Sequence, residues 1–282
     1  MEAIPQPAFL ETALRIKGFF HLHHQELLGS GLEPFEERTW HKDDATQTLV
    51  GERDDSMQQH FLEFLPTIFP HDILLGEEGQ KAFLWPPCLD QSLTTFDPLD
   101  GSSNRKGGTP MFGSTLTRIV NGDPERAALY LPYAECVFGN GFIYGQRNCG
   151  VWHSNRENIF RRVTGVRIPN KRIEILLEGG SRKGFKNQKY VSLGREITAR
   201  LGFSSCWSAA TVALGRYDGV VAIDNNPWDN LPIITFAAEL GFAATDWDGN
   251  PVTLGNCRNI VVAQPAAHPR IIEAIQKGGT LG

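Results

Sequence analysis

Four carboxylates in three short stretches could do metal chemistry. They are Asp97 and Asp100 within Phe96-Asp97-Pro98-Leu99-Asp100-Gly101-Ser102-Ser103-Asn104, Glu77 within Gly76-Glu77-Glu78-Gly79, and Asp229 within Pro227-Trp228-Asp229. Pro98 fixes its own φ and steers Asp97 away from helix, so the segment should leave a strand as a rigid turn. Gly101 can take backbone angles closed to other residues, and Ser102, Ser103 and Asn104 are good helix starters. Carboxylates crowded on one loop repel one another and acquire raised pKa values unless cations lie between them. Hard oxygen ligands of this kind select Mg2+, Mn2+ or Ca2+. Beside them, the free N–H groups around Gly101, Ser102 and Ser103 offer a seat for a phosphate. Metal-assisted hydrolysis of a phosphate ester is the chemistry this combination suits. A capped turn without metal is the plain alternative for Asp97 to Asn104, and Glu77-Glu78 taken alone reads more simply as a solvated pair of surface charges.

Stepping outward to the elements, Pro7 to Leu28 reads as a long helix with apolar residues at three-to-four spacing, and Asp54 to Leu65 as a second amphipathic helix stopped by Pro66 and Pro70. His21, His23 and His24 fall on the last turns of the first helix, where a solvated, positively charged helix end is a simpler reading than a metal cluster. Glu33 to Thr48 is polar and reads as a hairpin or loop over the site. His71 to Leu75 and Leu93 to Phe96 are short strands that deliver Glu77, Glu78 and Asp97. Gly113 to Val120, the Asn121-Gly122 hairpin signal, Arg126 to Leu131 and Cys136 to Tyr144 form an antiparallel meander. Farther on, Glu174 to Leu177 reads as strand, Val191 to Leu201 and Ser208 to Leu214 as helices, Ile233 to Leu240 as the helix behind Asp229, Asn259 to Ala263 as strand and Pro269 to Lys277 as helix.

Together, Leu75-Gly76-Glu77-Glu78, Asp97 to Asn104 and Trp228-Asp229 resemble the three ordered motifs of the inositol monophosphatase superfamily. These are Mg2+-dependent, lithium-sensitive phosphatases that include inositol monophosphatases and fructose-1,6-bisphosphatases. Gly215-Arg216-Tyr217-Asp218-Gly219 also resembles the family's turn before the strand that leads to the third motif. The resemblance implies an α+β, layered α-β-α-β-α sandwich. Residues 1–155 would form an N-terminal lobe with a mixed, largely antiparallel sheet, and residues 156–282 a smaller C-terminal α/β lobe contributing Asp229.

By the same resemblance, Glu77, Asp97 and the Leu99 carbonyl would hold one Mg2+, and Asp97, Asp100 and Asp229 a second. Glu78 would act near the water or a third, weaker ion, with Mn2+ an acceptable substitute. Gly101, Ser102 and Ser103 would bind the phosphate with Asp229 beside the substrate, and Ser102 with Asp54 would prepare the attacking water. A shift of one residue would exchange Asp54 for Asp55, and either could simply cap the second helix. No aspartate or histidine motif for covalent phosphoryl transfer is present, which points to direct attack by water.

The expected substrate is a small-molecule phosphate ester, an inositol or sugar phosphate first. Fructose-1,6-bisphosphate, histidinol phosphate and a nucleotide 3′-phosphate stand as alternatives, and a non-catalytic binding relative is the alternative of another class. Three departures from the family pattern bear on the substrate. Ala222 stands where many inositol-specific relatives have glutamate, Arg105-Lys106 replaces an aromatic residue in a cationic loop that reads either as a contact for an extra phosphate or as an exposed loop with two spare charges, and Asn230-Leu231-Pro232 replaces small alanines.

The bounds set by length and composition agree. A chain of 282 residues can bury a large core, and a net charge of −5 argues against a nucleic-acid polymer as partner. The five cysteines are scattered without metal-ligand spacing and read as reduced thiols in the cytoplasm. Neither a signal peptide nor a membrane-spanning apolar run is legible. A homodimer is the family habit.

Overall fold

The computed structural model describes residues 5–28, 39–41, 49–78, 90–135, 139, 141–165, 172–179 and 197–278. Of the expected Glu33 to Thr48 hairpin or loop all but residues 39–41 lies outside these, as do residues 191–196 of the expected helix.

Two sheets organise the chain. The larger runs in the order β3 (Ile73–Gly76), β4 (Leu93–Asp100), β5 (Gly113–Val120), β6 (Asp123–Tyr130), β7 (Phe142–Gln146), β8 (Gly150–Ser154) and β9 (Phe160–Arg162). Only the β3–β4 pair is parallel, and the rest form an antiparallel meander. Asn121 and Gly122 both take positive φ, 52° and 80°, so a two-residue turn matches the right-handed strand twist and sets the β5–β6 register. The smaller sheet has the order β11 (Ile197–Leu201), β10 (Ile173–Gly179), β12 (Gly219–Ile223), β14 (Ile260–Ala263) and β13 (Ala243–Asp246). Its first three strands are parallel and its last two antiparallel to their neighbours. A short antiparallel pair, β1 (Thr39–His41) with β2 (Leu49–Gly51), stands apart.

Helices fill the spaces around and between the sheets. On one face of the larger sheet, α1 (Pro7–Leu28) and α2 (Glu52–Phe64) bury Phe9, Ile16, Phe20 and Phe61 against Phe96, Phe142 and Tyr144. Between the sheets lie α4 (Ser205–Ala213) and α5 (Pro227–Leu240), whose Trp207 and Phe236 join Leu129 and Ile143 of one sheet to Leu176, Val220 and Val262 of the other. Outside the smaller sheet, α6 (His268–Gly278) packs Ile271 and Ile275 on Ile175, Val221 and Val261. With the one-turn α3 (Ser102–Lys106), the described residues form six α-helices in an α-β-α-β-α sequence of layers. None of these helices is long and apolar enough to cross a membrane.

Several sequence expectations change here. Residues 197–201, expected to end a helix, form β11, paired in parallel with β10 from Ile173↔Ile197. This is an edge strand with its last three residues exposed, so its apolar pattern carries little of a buried strand's signature. The acidic motif does not leave the sheet at Asp97. β4 continues to Asp100 through a register irregularity between Asp97 and Asp100, a place where Pro98, which has no N–H to donate, is tolerated. Arg105 is not on an exposed loop: it is wholly buried in α3, its guanidinium 5.7 Å from the Phe112 ring.

The histidines of α1 are not a solvated end either. His24 is fully buried with Nε2 2.8 Å from Ser114 Oγ, His21 meets the Tyr130 hydroxyl at 2.8 Å, and His23 stacks on His60 at 4.5 Å. Aromatic packing of α1 on the sheet draws that turn inward. Among the described cysteines, Cys149, Cys206 and Cys257 are free thiols.

Candidate active site

Asp97 and Asp100 arrive on β4, and Asp229 arrives in the first turn of α5, directly after the β12 strand and its Asp224–Asn226 turn. One carboxylate oxygen from each lies within 4.8 Å of the others, and this is the one group of three or more potential metal-ligating side chains among the described residues. Glu77, at the end of β3, is within hydrogen-bonding reach of Asp97, and its charge acts on Asp97, Asp100 and Asp229 alike. Four acids distant in sequence therefore meet.

Each acid is held by specific neighbours. Asp97 Oδ1 accepts the Leu99 N–H at 2.9 Å, a local turn that aims the carboxylate back along its own loop. Asp100 Oδ2 accepts the Cys206 N–H at 2.6 Å, so the first turn of α4, with its unsatisfied donors, faces the acid. Asp229 accepts the Asn226 N–H at 3.0 Å. Burial is the main force on all three. It raises the Asp97 pKa well above the ordinary carboxylate value, with the Glu77 and Asp100 charges adding to it. Asp229 is raised well above that value by burial and then by Glu77 and Asp100, while Asp100 is raised by burial against the relief of its Cys206 and Ser204 hydrogen bonds. Crowded, desolvated carboxylates of this kind fit a hard divalent cation, which would remove the repulsion that raises them.

Next to the cluster, Ser102 Oγ donates to Asp54 Oδ1 at 2.6 Å and stands 2.9 Å from the Leu99 carbonyl. Asp54 is buried and its neighbour Asp55 is exposed, so Asp54 is the one that meets Ser102. Asp54 and Phe61 are two helical turns apart on α2, and the Phe61 ring stacks on Phe96 at 5.1 Å, just before Asp97. One helix face thereby fixes both Asp54 and the start of the acidic motif. Gly101 has φ 85°, and a Cβ there would come within 2.8 Å of the Met111 carbonyl. Glu78 is buried with its N–H donated to Gln58 Oε1 at 2.6 Å, and Ser103 is exposed on α3.

Three neighbours of the cluster were not anticipated. Thr115 faces Asp97 across the β4–β5 pair and donates to the Trp228 carbonyl at 3.0 Å. That carbonyl is the one the Pro232 N–H would have taken inside α5, so the interior proline was the available signal. Glu178, at the end of β10, accepts from Ser208 Oγ, and burial pushes its carboxyl up to about 8. Gln58 grips both backbone groups of Glu78. Nothing local in sequence marks the last two.

A layered α+β fold with clustered carboxylates at its strand ends defines a class, the metal-dependent phosphatases of small molecules. The pattern of the inositol monophosphatase family matches residues 25–280, and the chain belongs to that family. It is 24% identical over 238 residues to an inositol monophosphatase of Dictyostelium discoideum, covering 81% of each chain. Over 247 residues it is 25% identical to a fructose-1,6-bisphosphatase/inositol-1-monophosphatase of Thermotoga maritima, covering 86% of each. The fold matches a structure of an IMPase/NADP phosphatase complexed with Mg2+ and phosphate with a TM-score of 0.74 at 19% identity, over 94% of this chain and 95% of that one. The protein is accordingly a phosphatase, a phosphoric monoester hydrolase of the inositol monophosphatase and fructose bisphosphatase type.

Proposed function

We propose that the protein hydrolyses an inositol or sugar monophosphate with Mg2+, by direct attack of water on phosphorus. The carrying observation is the Ser102–Asp54 hydrogen bond set against the Asp97, Asp100 and Asp229 cluster. Glu77, Asp97, the Leu99 carbonyl, Asp100 and Asp229 are the residues that would hold two ions, with Glu78 near a third. Bound there, Mg2+ supplies Lewis acidity, lowering the pKa of water and offsetting charge on the phosphate oxygens.

This chain's own residues do the rest. Ser102 has one proton and two acceptors in reach, Asp54 and the Leu99 carbonyl. With its proton on the Asp54 side, Ser102 Oγ turns a lone pair outward to accept a proton from water, and Asp54 receives the serine proton in turn. The Gly101, Ser102 and Ser103 amides bind phosphate oxygens, which is why the positive φ at Gly101 matters.

The test is phosphate release from a panel of esters in oxygen-18 water. The expected results are Mg2+-dependent turnover of inositol or sugar phosphates, label in the phosphate, and a loss of about a hundredfold in kcat for Ser102→Ala. Label in the alcohol, or activity confined to nucleotide or aryl esters, would overturn the reading.

A further inference from the structure

The site contains a carboxyl that the proposed chemistry does not use. Glu178 ends β10, and β10 is where the smaller sheet changes its direction of growth. The chain passes from β10 to β11 on one side and then, through α4, to β12 on the other, giving the order β11-β10-β12. In sheets of this kind the ligand crevice lies outside the carboxyl ends of the strands at such a switch point. Glu178 occupies that crevice end, and its register partner across β12 is Ala222, two residues before Asp224 and the turn that carries the chain to Asp229.

The side chain is seated rather than free to wander. It shares with Leu176 the strand face that packs on α4, because alternate residues of a strand point the same way. Ser208 on α4 donates to Glu178 Oε1, and Gly202, just after β11, leaves the room that the carboxyl fills: a Cβ at Gly202 would overlap Oε1. The charge of Asp100 acts on Glu178, and that of Glu178 on Asp229, so the carboxyl borders the metal cluster without belonging to it. The neighbouring Ala222 side chain is small and buried, so of this register pair it is Glu178 that brings a polar group to the end of β10 and β12.

We propose that Glu178 is a specificity-determining residue that binds hydroxyl groups of a polyol phosphate, holding the alcohol half of the ester while the acidic cluster side holds the phosphate. This rests on the phosphatase reading above and names the part of the substrate it leaves open. A carboxyl suits the task because hydroxyls both donate and accept. Burial pushes the Glu178 carboxyl up to about 8, toward the protonated form that both donates and accepts.

The experiment compares kcat/KM for inositol 1-phosphate with that for p-nitrophenyl phosphate, which carries no hydroxyls, at saturating Mg2+. In Glu178→Ala the ratio of the two should fall about tenfold to a hundredfold, the discrimination expected when a site built for a hydroxyl loses its partner. Glu178→Gln, which keeps a donor and an acceptor, should lose less than about threefold of that ratio. Gly202→Ala, which displaces the carboxyl without removing it, should shift the ratio in the same direction as Glu178→Ala and serves if that variant folds poorly. Equal loss on both esters, as a strut between β10 and α4 would give, overturns the proposal, and so does an unchanged ratio. Wild-type protein that hydrolyses p-nitrophenyl phosphate but no polyol ester would instead overturn the substrate reading on which it rests.

Discussion

The two sheets serve one site by different means. β4 carries Asp97 and Asp100 within a strand whose eight residues are all buried, and residues close in sequence help to aim them, Leu99 for Asp97 and Ser102 against the Leu99 carbonyl. In the smaller sheet's half the cluster has one acid, Asp229, which lies outside any ladder, while Glu178, beside the cluster, is paired with Ala222 in the β10–β12 ladder. Asp229 stands in the first turn of α5, beyond the end of β12, and Glu178 at the rim of β10. Charge inside a sheet is expensive and persists only where donors and a counter-ion balance it. Burial raises Asp229 and Glu178 as it raises Asp97, so the cost is met in both halves, but by a helix turn and a strand's last residues in one and by a strand interior in the other. On the roles proposed above, the larger sheet's side supplies most of the acids and the Ser102–Asp54 pair, and the smaller one's side completes the cluster with Asp229 and sets Glu178 against the alcohol half of the substrate.

The sharpest way to break that contrast is Asp97→Asn. Catalysis should fall on the order of a thousandfold, about 4 kcal/mol of lost transition-state stabilisation. Metal-free stability should move the other way. Asp97 has a folded pKa raised above its unfolded value, so ionising it in the fold costs stability as pH rises through that interval, and at pH 7.5 the cost is present. Asparagine keeps an oxygen for the Leu99 N–H and removes the charge. Thermal unfolding in EDTA should therefore occur at higher temperature than in the wild type, and added Mg2+ should stabilise the variant less. An inactive variant that is also less stable in EDTA would show that the cluster is not strained by its own charge.

That same contrast governs what could be read from sequence. Asp97, Asp100 and Gly101 sit in one short motif whose turn chemistry is local, and both helices of the first face follow from apolar spacing. The Asp54–Ser102 pairing was approachable by resemblance, but the choice over Asp55 needed the buried face of α2. Glu178 could not be found, because its meaning comes from a strand order that no stretch of β10 encodes and from a glycine and a serine more than twenty residues away. Val191 to Leu201 misled for the converse reason: an exposed edge strand lacks the burial that makes periodicity informative. His24 and Arg105 misled because polar residue types usually mark surface, and here aromatic neighbours bury them.

A smaller effect is expected where the two halves are tied together. Thr115 takes up the Trp228 carbonyl that Pro232 leaves without a helical donor, joining the strand opposite Asp97 to the helix bearing Asp229. Thr115→Val keeps the shape but orphans both the carbonyl and the Asp97 N–H, which Thr115 Oγ1 accepts at 3.3 Å, and should cost about 1–3 kcal/mol in urea unfolding. It should also raise the Mg2+ concentration for half-maximal activity, because the spacing between Asp97 and Asp229 is loosened. Adding Pro232→Ala restores an N–H to that carbonyl, so the double variant should recover part of the loss, a coupling that a double-mutant cycle reads directly. Strictly additive losses would mean that Thr115 acts through the Asp97 N–H it accepts and not through this carbonyl.

The smallest effect at neutral pH should come from His24, which supports the larger-sheet side from behind. Ser114 Oγ donates its proton to the Pro98 carbonyl at 2.5 Å, so the 2.8 Å contact with His24 Nε2 requires the imidazole to be the donor. Burial, aided by His23, His21 and Arg105, holds His24 neutral down to about pH 3. An unfolded histidine takes up a proton near pH 6.5, so between pH 6.5 and about 3 the unfolded state binds more protons and stability falls with falling pH. From pH 7.5 to pH 5 this one group should remove about 2 kcal/mol. His24→Gln keeps a donor for Ser114 and cannot titrate. The difference in unfolding free energy between the two proteins should therefore move in the variant's favour by about that amount over the same interval, read by urea denaturation at each pH. Parallel pH profiles would show that His24 is already charged in the fold, and the chain from α1 through Ser114 to the acidic loop would then need a different proton arrangement.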